Sequence, residues 1–382
     1  MKILILGGDG YLGWPTAMHF SDAGHEVGVL DNGIKRKWEE EQGVKGLFDL
    51  PSFDERVGTW NKSGPDAMTL FSGDMLDYEF VRNVLATFKP DAVVHYAEQP
   101  SAPYSMISVG KAVETQTNNI MGTMNLMWAI KEVDINIHLI KLGTMGEYGT
   151  PNIDIEEGFL DIEYKGRKDR IAMPKQPGSF YHLTKVHDSN NLMFATRMWG
   201  LKVTDLNQGV VYGIETEQTK LGTKLTTNFH YDAIFGTALN RFCAQAVVGE
   251  PITVYGSGNQ KRAFLNINDT LQCVTLAAEN PPVAGKFQVF NQFTEVFSIR
   301  ELAELVCKEA IGKGYKTKVD NISNPRIESE DHYFNPINYN FMKIGLKPRK
   351  LSNVLVDSML DLIDDNKQNI DIDSLLPNVK WK

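Results

Sequence analysis

The chain begins with an apolar row, Ile3 to Leu6, that runs directly into a glycine-rich turn with glycines at positions 7, 10 and 13. An unbroken apolar row at the start of a chain is typical of a strand buried on both faces. Glycines at this spacing permit a tight turn, the close approach of a pyrophosphate, and the packing of a helix on the strand. The phosphates would meet the positive end of the helix dipole. The N-terminus therefore predicts a dinucleotide-binding site.

An acidic residue follows the next predicted strand and bears on which dinucleotide binds. Residues 25–30 form that strand, and Asp31 comes 18 residues after Gly13. A carboxylate here favours NAD over NADP, because it suits a ribose hydroxyl and repels a 2′-phosphate. Lys35 and Arg36 could receive such a phosphate, but beside Asp31 we interpret them as adenosine-side or solvated charges. A glycine-rich turn in another kind of α/β protein is the alternative.

Composition excludes several classes of partner. The chain has 382 residues with 42% hydrophobic and 23% charged content, enough for two packed units. A net charge of −9 argues against nucleic-acid binding, and no apolar run approaches the roughly 20 residues that cross a bilayer. The three cysteines are too far apart for a disulfide framework or a metal pair, so we expect no metal. The chain starts directly at the cofactor strand, and we expect a cytoplasmic protein.

Strand and helix patterns alternate through the first half of the chain. Apolar runs lie at 68–71, 92–96, 138–142 and 201–206, and helical stretches lie at 112–133 and 180–199. This alternation predicts an α/β fold with a Rossmann-type, doubly wound parallel sheet. After residue 206 the pattern is less regular. We therefore expect an NAD-binding domain over 1–206 and a smaller α/β domain, mainly for substrate, over 207–382, with some segments returning to the first.

A tyrosine and a lysine one helical turn apart predict proton-transfer chemistry. Tyr181 and Lys185 share a helix face, and Thr144 follows a buried strand. A lysine cation and the positive nicotinamide of an oxidised cofactor would lower the pKa of the tyrosine towards a usable value. An exposed Tyr–Lys pair is the ordinary interpretation in an arbitrary helix, but behind a dinucleotide site we favour the catalytic one.

On these residues the chain resembles the extended short-chain dehydrogenase/reductase family, also described as NAD-dependent epimerases and dehydratases, whose members act on nucleotide sugars. The residues that carry the resemblance are Gly7, Gly10 and Gly13 in the cofactor turn, Thr144, Tyr181 and Lys185 as the catalytic triad, and 250–256 with Arg262 as the substrate-diphosphate segment. The resemblance covers nearly the whole chain.

A narrower resemblance is to the branch of this family that combines UDP-glucose with sulfite. It is carried by residues 101–107, 141–157, 205–213, 290–295 and 324–326. It implies that NAD is used and regenerated within each turnover: oxidation at C4, loss of water across C5 and C6, addition of sulfite or a sulfite donor at C6, and reduction at C4. It also implies a homodimer, with residues 112–133 and 180–199 in a four-helix interface.

The resemblance also assigns roles to residues. Those implied at the cofactor are Gly7, Asp9, Gly10, Tyr11, Leu12, Gly13, Asp31, Asn32, Arg36, Asp74, Met75, Ala97, Glu98, Asn118, Tyr181, Lys185 and Gln208. Those implied at the substrate are Gln99, Thr144, Asn207, Gln260, Arg262 and Arg326. Tyr181 would take the proton of the 4-hydroxyl, Thr144 would orient that hydroxyl, and Lys185 would hold the ribose and the phenolate.

Two departures from the family pattern bear on the mechanism. Dehydratases of sugar nucleotides place an Asp–Glu pair directly after the catalytic threonine, whereas this chain has Met145 and Gly146. We expect His182 to be the acid/base of the elimination, with Glu147 and Glu98 as the next candidates. Pro100 stands where plant members of the branch have arginine, so the resemblance supplies no cation for sulfite there.

Two other functions stay open at this point. A 4-epimerase or 4,6-dehydratase of a UDP-sugar would share the cofactor site and the triad without needing sulfite. A non-catalytic NAD-binding sensor or scaffold would be expected to lose the triad.

Residues 150–180 predict a turn between short strands, and we interpret the segment either as a flap over the pocket or as a surface excursion.

Overall fold

The structure is a computed structural model that describes residues 1–64, 67–326, 328–329, 331–351 and 353–376. Its strands are, in chain order, β1 (Lys2–Leu6), β2 (Glu26–Asp31), β3 (Thr69–Ser72), β4 (Ala92–His95), β5 (His138–Thr144), β6 (Phe159–Tyr164), β7 (Arg167–Ala172), β8 (Lys202–Gln208), β9 (Val210–Tyr212), β10 (Ile252–Tyr255), β11 (Lys261–Asn266), β12 (Phe287–Gln292), β13 (Glu295–Ser298) and β14 (Val319–Ile322).

The α-helices alternate with these strands. They are α1 (Gly13–Asp22), α2 (Ile34–Gln42), α3 (Phe53–Ser63), α4 (Tyr78–Phe88), α5 (Val109–Gln116), α6 (Gly122–Val133), α7 (Phe180–Trp199), α8 (Ala238–Val248), α9 (Ile267–Glu279), α10 (Ile299–Gly312), α11 (Tyr339–Lys343) and α12 (Asn353–Asp364).

Seven strands form one parallel sheet in the order β12-β8-β5-β4-β1-β2-β3. From β1 the chain builds outward through β2 to β3, and then crosses back to place β4 on the other side of β1. Ligands of such sheets bind at the carboxyl ends of the strands where this reversal occurs. The predicted Rossmann-type, doubly wound sheet is confirmed.

The sheet is covered on both faces because its strands are apolar on both. Ile3 and Ile5 of β1 pack in a layer with residues of α1 and α9, whereas Leu4 and Leu6 pack in the opposite layer with residues of α4 and α6. Side chains that alternate between two buried faces explain the unbroken apolar rows in the sequence. The two layers hold the strand ends at fixed positions.

The second part of the chain is divided between the large sheet and a smaller unit. Strand β12 pairs with β8 at the edge of the sheet, and α9 packs in the layer of α1. The smaller unit contains the pair β10-β14 and the triplet β13-β11-β9, with an apolar core shared by α8, α10 and α12. The expected boundary after residue 206 falls inside β8, two residues before its end. Residues 327, 330, 352 and 377–382 of the expected second domain lie outside the described residues.

One predicted helix differs from a regular α-helix. Residues 112–133 were expected to form a single helix, but a π-helical turn over Thr117–Met121 joins α5 to α6. In this turn the amide of Asn119 accepts from the Gln99 backbone N–H and donates to the hydroxyl of Thr184, both at 3.0 Å or less. The local widening of the helix thus turns an amide towards two other segments, as is common at functional sites.

The predicted turn within residues 150–180 is a β-hairpin of β6 and β7 with Lys165 and Gly166 in the left-handed region at its tip. Strand residues of the hairpin do not border the main cavity, whereas Gly149, Thr150, Gln176 and Gly178, near the ends of the segment, do. The borders of the segment rather than its tip therefore face the pocket.

Among the residues that the structure describes, no helix combines the length and the apolar composition that crossing a bilayer requires. In the same residues no three metal-binding side chains are grouped as a metal site would need. Cys243 and Cys273 are buried free thiols, and Cys307 is half-buried.

Candidate active site at the carboxyl edge of the sheet

A cavity of about 1120 Å³ lies at the carboxyl ends of the central strands and reaches into the smaller unit. Most of the residues implied at the cofactor and substrate line it. They are Gly7, Asp9, Gly10, Tyr11, Leu12, Gly13, Asp31, Asn32, Arg36, Asp74, Met75, Ala97, Glu98, Asn118, Thr144, Tyr181, His182, Gln208, Gln260, Arg262 and Arg326.

Three of the implied residues do not border this cavity. Gln99 is buried behind it, where its side-chain oxygen accepts from the Ser101 N–H at 3.0 Å. Asn207 is buried and donates to the hydroxyl of Tyr148 at 2.6 Å. Lys185 is 2% exposed and directs its ammonium group to the carbonyl of Leu142. The structure therefore places all three beside the cavity rather than on its wall.

The glycine turn has the close packing that a dinucleotide cradle requires. Gly7 adopts φ of +83°, and a Cβ at Gly13 would collide with the Gly7 carbonyl oxygen. Any side chain at either position would separate β1 from α1 or fill the turn. The turn is tied to the smaller unit by the Tyr11 hydroxyl, which donates to the Gly213 carbonyl at 2.6 Å.

The acidic and basic residues beside the turn form their own network. The carboxylate of Asp31 accepts from the N–H groups of Asp9 and Gly33 at 3.0 and 2.7 Å, and burial raises its pKa. Arg36 forms an ion pair with the Asp9 carboxylate at 2.6 Å, and its side chain stays 36% exposed at the border of the cavity. Its interpretation as an adenosine-side or solvated charge stays a prediction. The fully buried Arg56 binds the same carboxylate, a contact that the sequence did not reveal.

Tyr181 lies in an environment that raises its pKa. Burial is the largest cause, and the negative charge of Glu98 raises the pKa further, while Lys141 lowers it. The ammonium nitrogen of Lys185 lies 5.7 Å from the centre of the tyrosine ring. The lowering expected from the sequence is therefore not supplied by the protein alone, and depends on positive charge brought by the cofactor.

A buried charge network supports the catalytic threonine. The Thr144 N–H donates to Glu147 at 3.2 Å, and its hydroxyl oxygen accepts from the Gly146 N–H at 3.1 Å. Burial would raise the pKa of Glu147, but Lys141 and Lys175 lower it to about 2. Lys141 also donates to the carbonyl of Lys185 at 3.1 Å, which connects β5 to α7. Glu147 is thus a support of Thr144 rather than a residue on the cavity wall.

The imidazole of His182 fills the space beside the backbone of Gly146. A Cβ at Gly146 would collide with the Nε2 of His182, so only glycine leaves room for the ring. The Nδ1 atom lies 3.0 Å from the hydroxyl of Ser179, the N-terminal cap of α7. Burial, together with Arg326 and Arg262, lowers the pKa of His182 to about 4. The ring is therefore a neutral base at neutral pH.

Three arginines meet at the far end of the cavity. Arg262 forms an ion pair with Glu328, and Arg326 lies close enough to Arg262 and Arg241 for their charges to affect its pKa, which burial lowers. Arg241, on α8, is 5% exposed and lies 4.6 Å from the Tyr255 ring centre. In the described part of the chain no carboxylate forms an ion pair with it. Arg241 could not be predicted as a site residue, since a lone arginine in a helix carries no local signal.

Gln260 and two further segments, α2 and residues 228–237, complete the lining of the cavity. The Gln260 side-chain oxygen is buried without a hydrogen-bond partner among the described residues, and its amide donates to the Tyr255 carbonyl. Residues of α2 and of the segment 228–237 also line the cavity, and neither segment could be predicted from the sequence to do so. There Glu39 accepts from His230 at 2.8 Å and from Asn228 at 3.1 Å, and so joins the two segments.

Comparison with known proteins places this site in a family. The model of the NAD-dependent epimerase/dehydratase family matches residues 3–291. The chain belongs to this family. NAD is therefore its cofactor, and the glycine cradle, the α1 N-terminus and the half-buried Asp31 fit that group.

Two curated relatives match over the full chain. The chloroplastic UDP-sulfoquinovose synthase of Spinacia oleracea is 49% identical over 381 residues, which are 100% of this chain and 79% of the relative. The UDP-sulfoquinovose synthase of Sulfolobus acidocaldarius is 42% identical over 385 residues, with 100% and 98% covered. Within its family the chain therefore groups with the UDP-sulfoquinovose synthases.

Among solved structures, the UDP-glucose 4-epimerase of Bifidobacterium longum, solved with NAD⁺ and UDP, is similar with a TM-score of 0.71. The match covers 97% of this chain and 100% of that chain at 17% identity. At this identity the likeness establishes the fold alone.

Proposed function

We propose that this enzyme converts UDP-glucose and sulfite into UDP-sulfoquinovose and water. The observation that carries the proposal is the neutral imidazole of His182 in the space left by Gly146, beside Thr144 and Tyr181. This arrangement supplies an elimination base without the Asp–Glu pair of dehydratases. The names of the two full-length relatives support the same reaction.

Oxidation at C4 needs a group that removes the proton of the 4-hydroxyl. When bound, NAD accepts a hydride from C4 at the start of the turnover and returns it at the end. Tyr181 takes the hydroxyl proton, and Thr144, whose oxygen already accepts from Gly146, orients that hydroxyl. Lys185 stabilises the phenolate from its position next to the ring.

Elimination follows because a C4 ketone acidifies the hydrogen on C5. His182 accepts this proton as a neutral base, and its Nδ1 contact with Ser179 keeps the ring in place. The positive charges of Arg262 and Arg326 disfavour the imidazolium, so the proton passes readily to the departing 6-hydroxyl, which leaves as water. A C5–C6 double bond conjugated with the ketone remains.

Addition follows elimination. The sulfur of bisulfite forms a bond to C6, and the proton that bisulfite gives up passes through His182 to C5. Reduction at C4, with the proton of Tyr181 returned to the oxygen, completes UDP-sulfoquinovose. The net reaction joins one bisulfite and releases one water, and consumes no reductant.

The diphosphate of the substrate fits the arginine end of the cavity. Arg262 and Arg326 suit phosphate oxygens because guanidinium groups donate two parallel hydrogen bonds. Arg241 adds a buried cation that is stacked on Tyr255. A dianionic diphosphate would compensate this positive charge, so we assign these three residues to substrate binding.

The test is mass spectrometry of the nucleotide sugars after incubation of the purified protein with UDP-glucose, with and without sulfite. A sulfonated UDP-hexose that forms only with sulfite supports the proposal. UDP-galactose or a 4-keto-6-deoxy sugar in both samples would instead assign the enzyme to the epimerases or dehydratases. Binding of NAD with no conversion in either sample would favour a sensor.

We also propose that the enzyme is a homodimer through α5, α6 and α7. These neighbouring helices carry exposed apolar side chains, among them Val113, Phe194 and Met198. Val113→Glu should give a monomer in light scattering, because a charge cannot be buried in an apolar interface. Val283→Glu, at an exposed valine elsewhere, is the control and should leave the mass unchanged. A monomeric wild-type protein would refute the proposal.

A further inference from the structure

Glu98 places a carboxylate directly on the catalytic lysine. Its Oε2 atom lies 2.5 Å from the ammonium nitrogen of Lys185, and both side chains are 2% exposed. Glu98 follows β4, and it also lines the cavity. The ion pair therefore joins the loop after β4 to the helix that carries Tyr181.

The contacts of Lys185 leave donors for a ligand. An ammonium group has three N–H bonds. One is donated to the Leu142 carbonyl at 2.7 Å. Glu98 forms an ion pair with the same ammonium group, but neither of its carboxylate oxygens accepts a hydrogen bond from the described residues. The hydrogen bond and the ion pair therefore hold the ammonium group in this position, and N–H donors stay available to a bound molecule.

We propose that Glu98 is a positioning residue that holds the Lys185 ammonium group in this position and, through its negative charge, sets the proton affinity of Tyr181. The inference rests on the proposed function, since that function makes Tyr181 the group that exchanges a proton with the substrate. It assigns to Glu98 an effect opposite to that of the cofactor's positive charge. The balance of the two keeps the tyrosine protonated until the cofactor is bound.

Other charged groups face the same region and must be separated from Glu98. They are Lys185, His182 and Asp188 on α7, Lys141 on β5, Glu147 just after it, and His95 on β4, whose Nε2 lies 3.9 Å from Glu98 Oε1. Burial and the charge of Glu98 raise the pKa of Asp188 well above its usual range, while Lys141 and Lys185 lower it. Among the charged groups around Tyr181, Glu98 has the largest effect on the pKa of the tyrosine.

Glu98→Gln tests the charge, because glutamine keeps the length and an oxygen for Lys185. The pKa of Tyr181 is measured in the NAD-loaded enzyme by NMR of protein carrying carbon-13 at the tyrosine Cζ, with Tyr181→Phe to assign the signal. We expect a fall of about one pKa unit in the variant. The acid limb of the hydride-transfer rate should move in the same direction, giving about a tenfold faster rate at low pH.

Asp188→Asn is the matched control, since it makes the same carboxyl-to-amide change at another buried position, whereas the charges that shift the pKa of Tyr181 are those of Glu98, Lys141 and Glu147. It should leave the Tyr181 titration unchanged. Glu98→Asp tests the positioning, because it keeps the charge and shortens the reach. It should slow hydride transfer at every pH and leave the acid limb in place. This variant also provides a test if Glu98→Gln does not fold.

Two results would overturn the inference. One is a Tyr181 titration in Glu98→Gln that coincides with that of the wild-type enzyme, and the other is an equal shift in Asp188→Asn. The titration uses neither UDP-glucose nor sulfite, so it is independent of the product analysis. Absence of a sulfonated product would refute the proposed function and leave the measured effect of Glu98 on Tyr181 as it stands.

Discussion

The imidazole of His182 occupies the position into which a side chain at Gly146 would project. By the family resemblance, residue 146 is one of the two positions where dehydratases carry their acidic pair, and in this chain the histidine on α7 fills the space beside it. The structure thereby brings a base from another element to the same point of the cavity. The resulting base is a neutral imidazole instead of a carboxylate.

Gly146→Ala should separate oxidation from elimination. The added Cβ would collide with Nε2 of His182, so the ring must move away. We expect Tyr181 and Thr144 to keep their positions. We expect the sulfonated product to fall by at least about a hundredfold, in line with loss of one general base, while UDP-glucose still reduces bound NAD. Product is measured by mass spectrometry and NADH by absorbance. Gly58→Ala, in α3 with nothing near its Cβ, is the control and should retain full activity.

Tyr181→Phe should abolish hydride transfer while NAD still binds. The substitution removes only the hydroxyl, so the cavity keeps its shape, but the 4-hydroxyl proton has no acceptor. We expect a loss of about a thousandfold or more in the rate of NADH formation, with the Kd for NAD by calorimetry within a few-fold of wild type. Turnover at the wild-type rate would refute the acid/base role.

Arg241→Met should weaken binding of UDP-glucose and leave NAD binding unchanged. Methionine keeps the apolar stem over Tyr255 but removes the buried cation. Loss of charge-assisted hydrogen bonds of this kind costs about 2 kcal/mol, which is roughly a thirtyfold rise in Kd for UDP. Calorimetry with UDP and with NAD measures both effects. Arg82→Met, at an exposed position on α4, is the control and should change neither constant. An unchanged affinity for UDP in Arg241→Met would place the diphosphate elsewhere.

The folded state should lose stability as the pH falls from about 6.5 to about 4. Burial lowers the pKa of His138 to about 4 and that of His95 to about 3. Between these values and 6.5 the unfolded chain binds more protons than the folded one, so the free energy of unfolding rises with pH in this window and falls on acidification.

For His138, which is 3% exposed, the shift corresponds to about 3 kcal/mol. Urea denaturation at a series of pH values measures the slope. His138→Gln, which can keep a hydrogen bond to Thr204, should give a shallower slope than the wild-type protein. Equal slopes in the two proteins would show that His138 does not contribute in this window.

Much of the fold could be predicted because its signals are local. Unbroken apolar rows alternate with helical windows, and this alternation is enough to predict a parallel sheet covered on both faces. The π-helical turn at Asn119 could not be predicted, since its stabilising contacts with Gln99 and Thr184 come from two remote segments. The expected boundary after residue 206 missed the end of β8 for a related reason: its partner β12 lies far along the chain.

The part of the candidate site that depends on local spacing was also predictable. Spacing alone reveals Gly7, Gly13 and the Tyr181–Lys185 pair. The structure brings them to one edge of the sheet, where Lys185 lies behind the cavity wall and donates to the Leu142 carbonyl. The effect of buried charges from other elements on the pKa of Tyr181 was not predictable. The lowered pKa that we expect for Tyr181 requires the positive charge of the bound cofactor, because in the protein alone burial and the carboxylate of Glu98, after another strand, raise it.

By itself the sequence determined the dinucleotide cradle, the doubly wound sheet and the helix that presents Tyr181, because each depends on residues a few positions apart. Only the tertiary structure decided that His182 fills the space at Gly146, that Glu98 binds Lys185, and that Arg241 lies buried on Tyr255. These pairs join different elements, and their effects depend on burial, which lowers the effective dielectric around charges. Neither the distance nor the burial of such a pair is encoded in a local pattern.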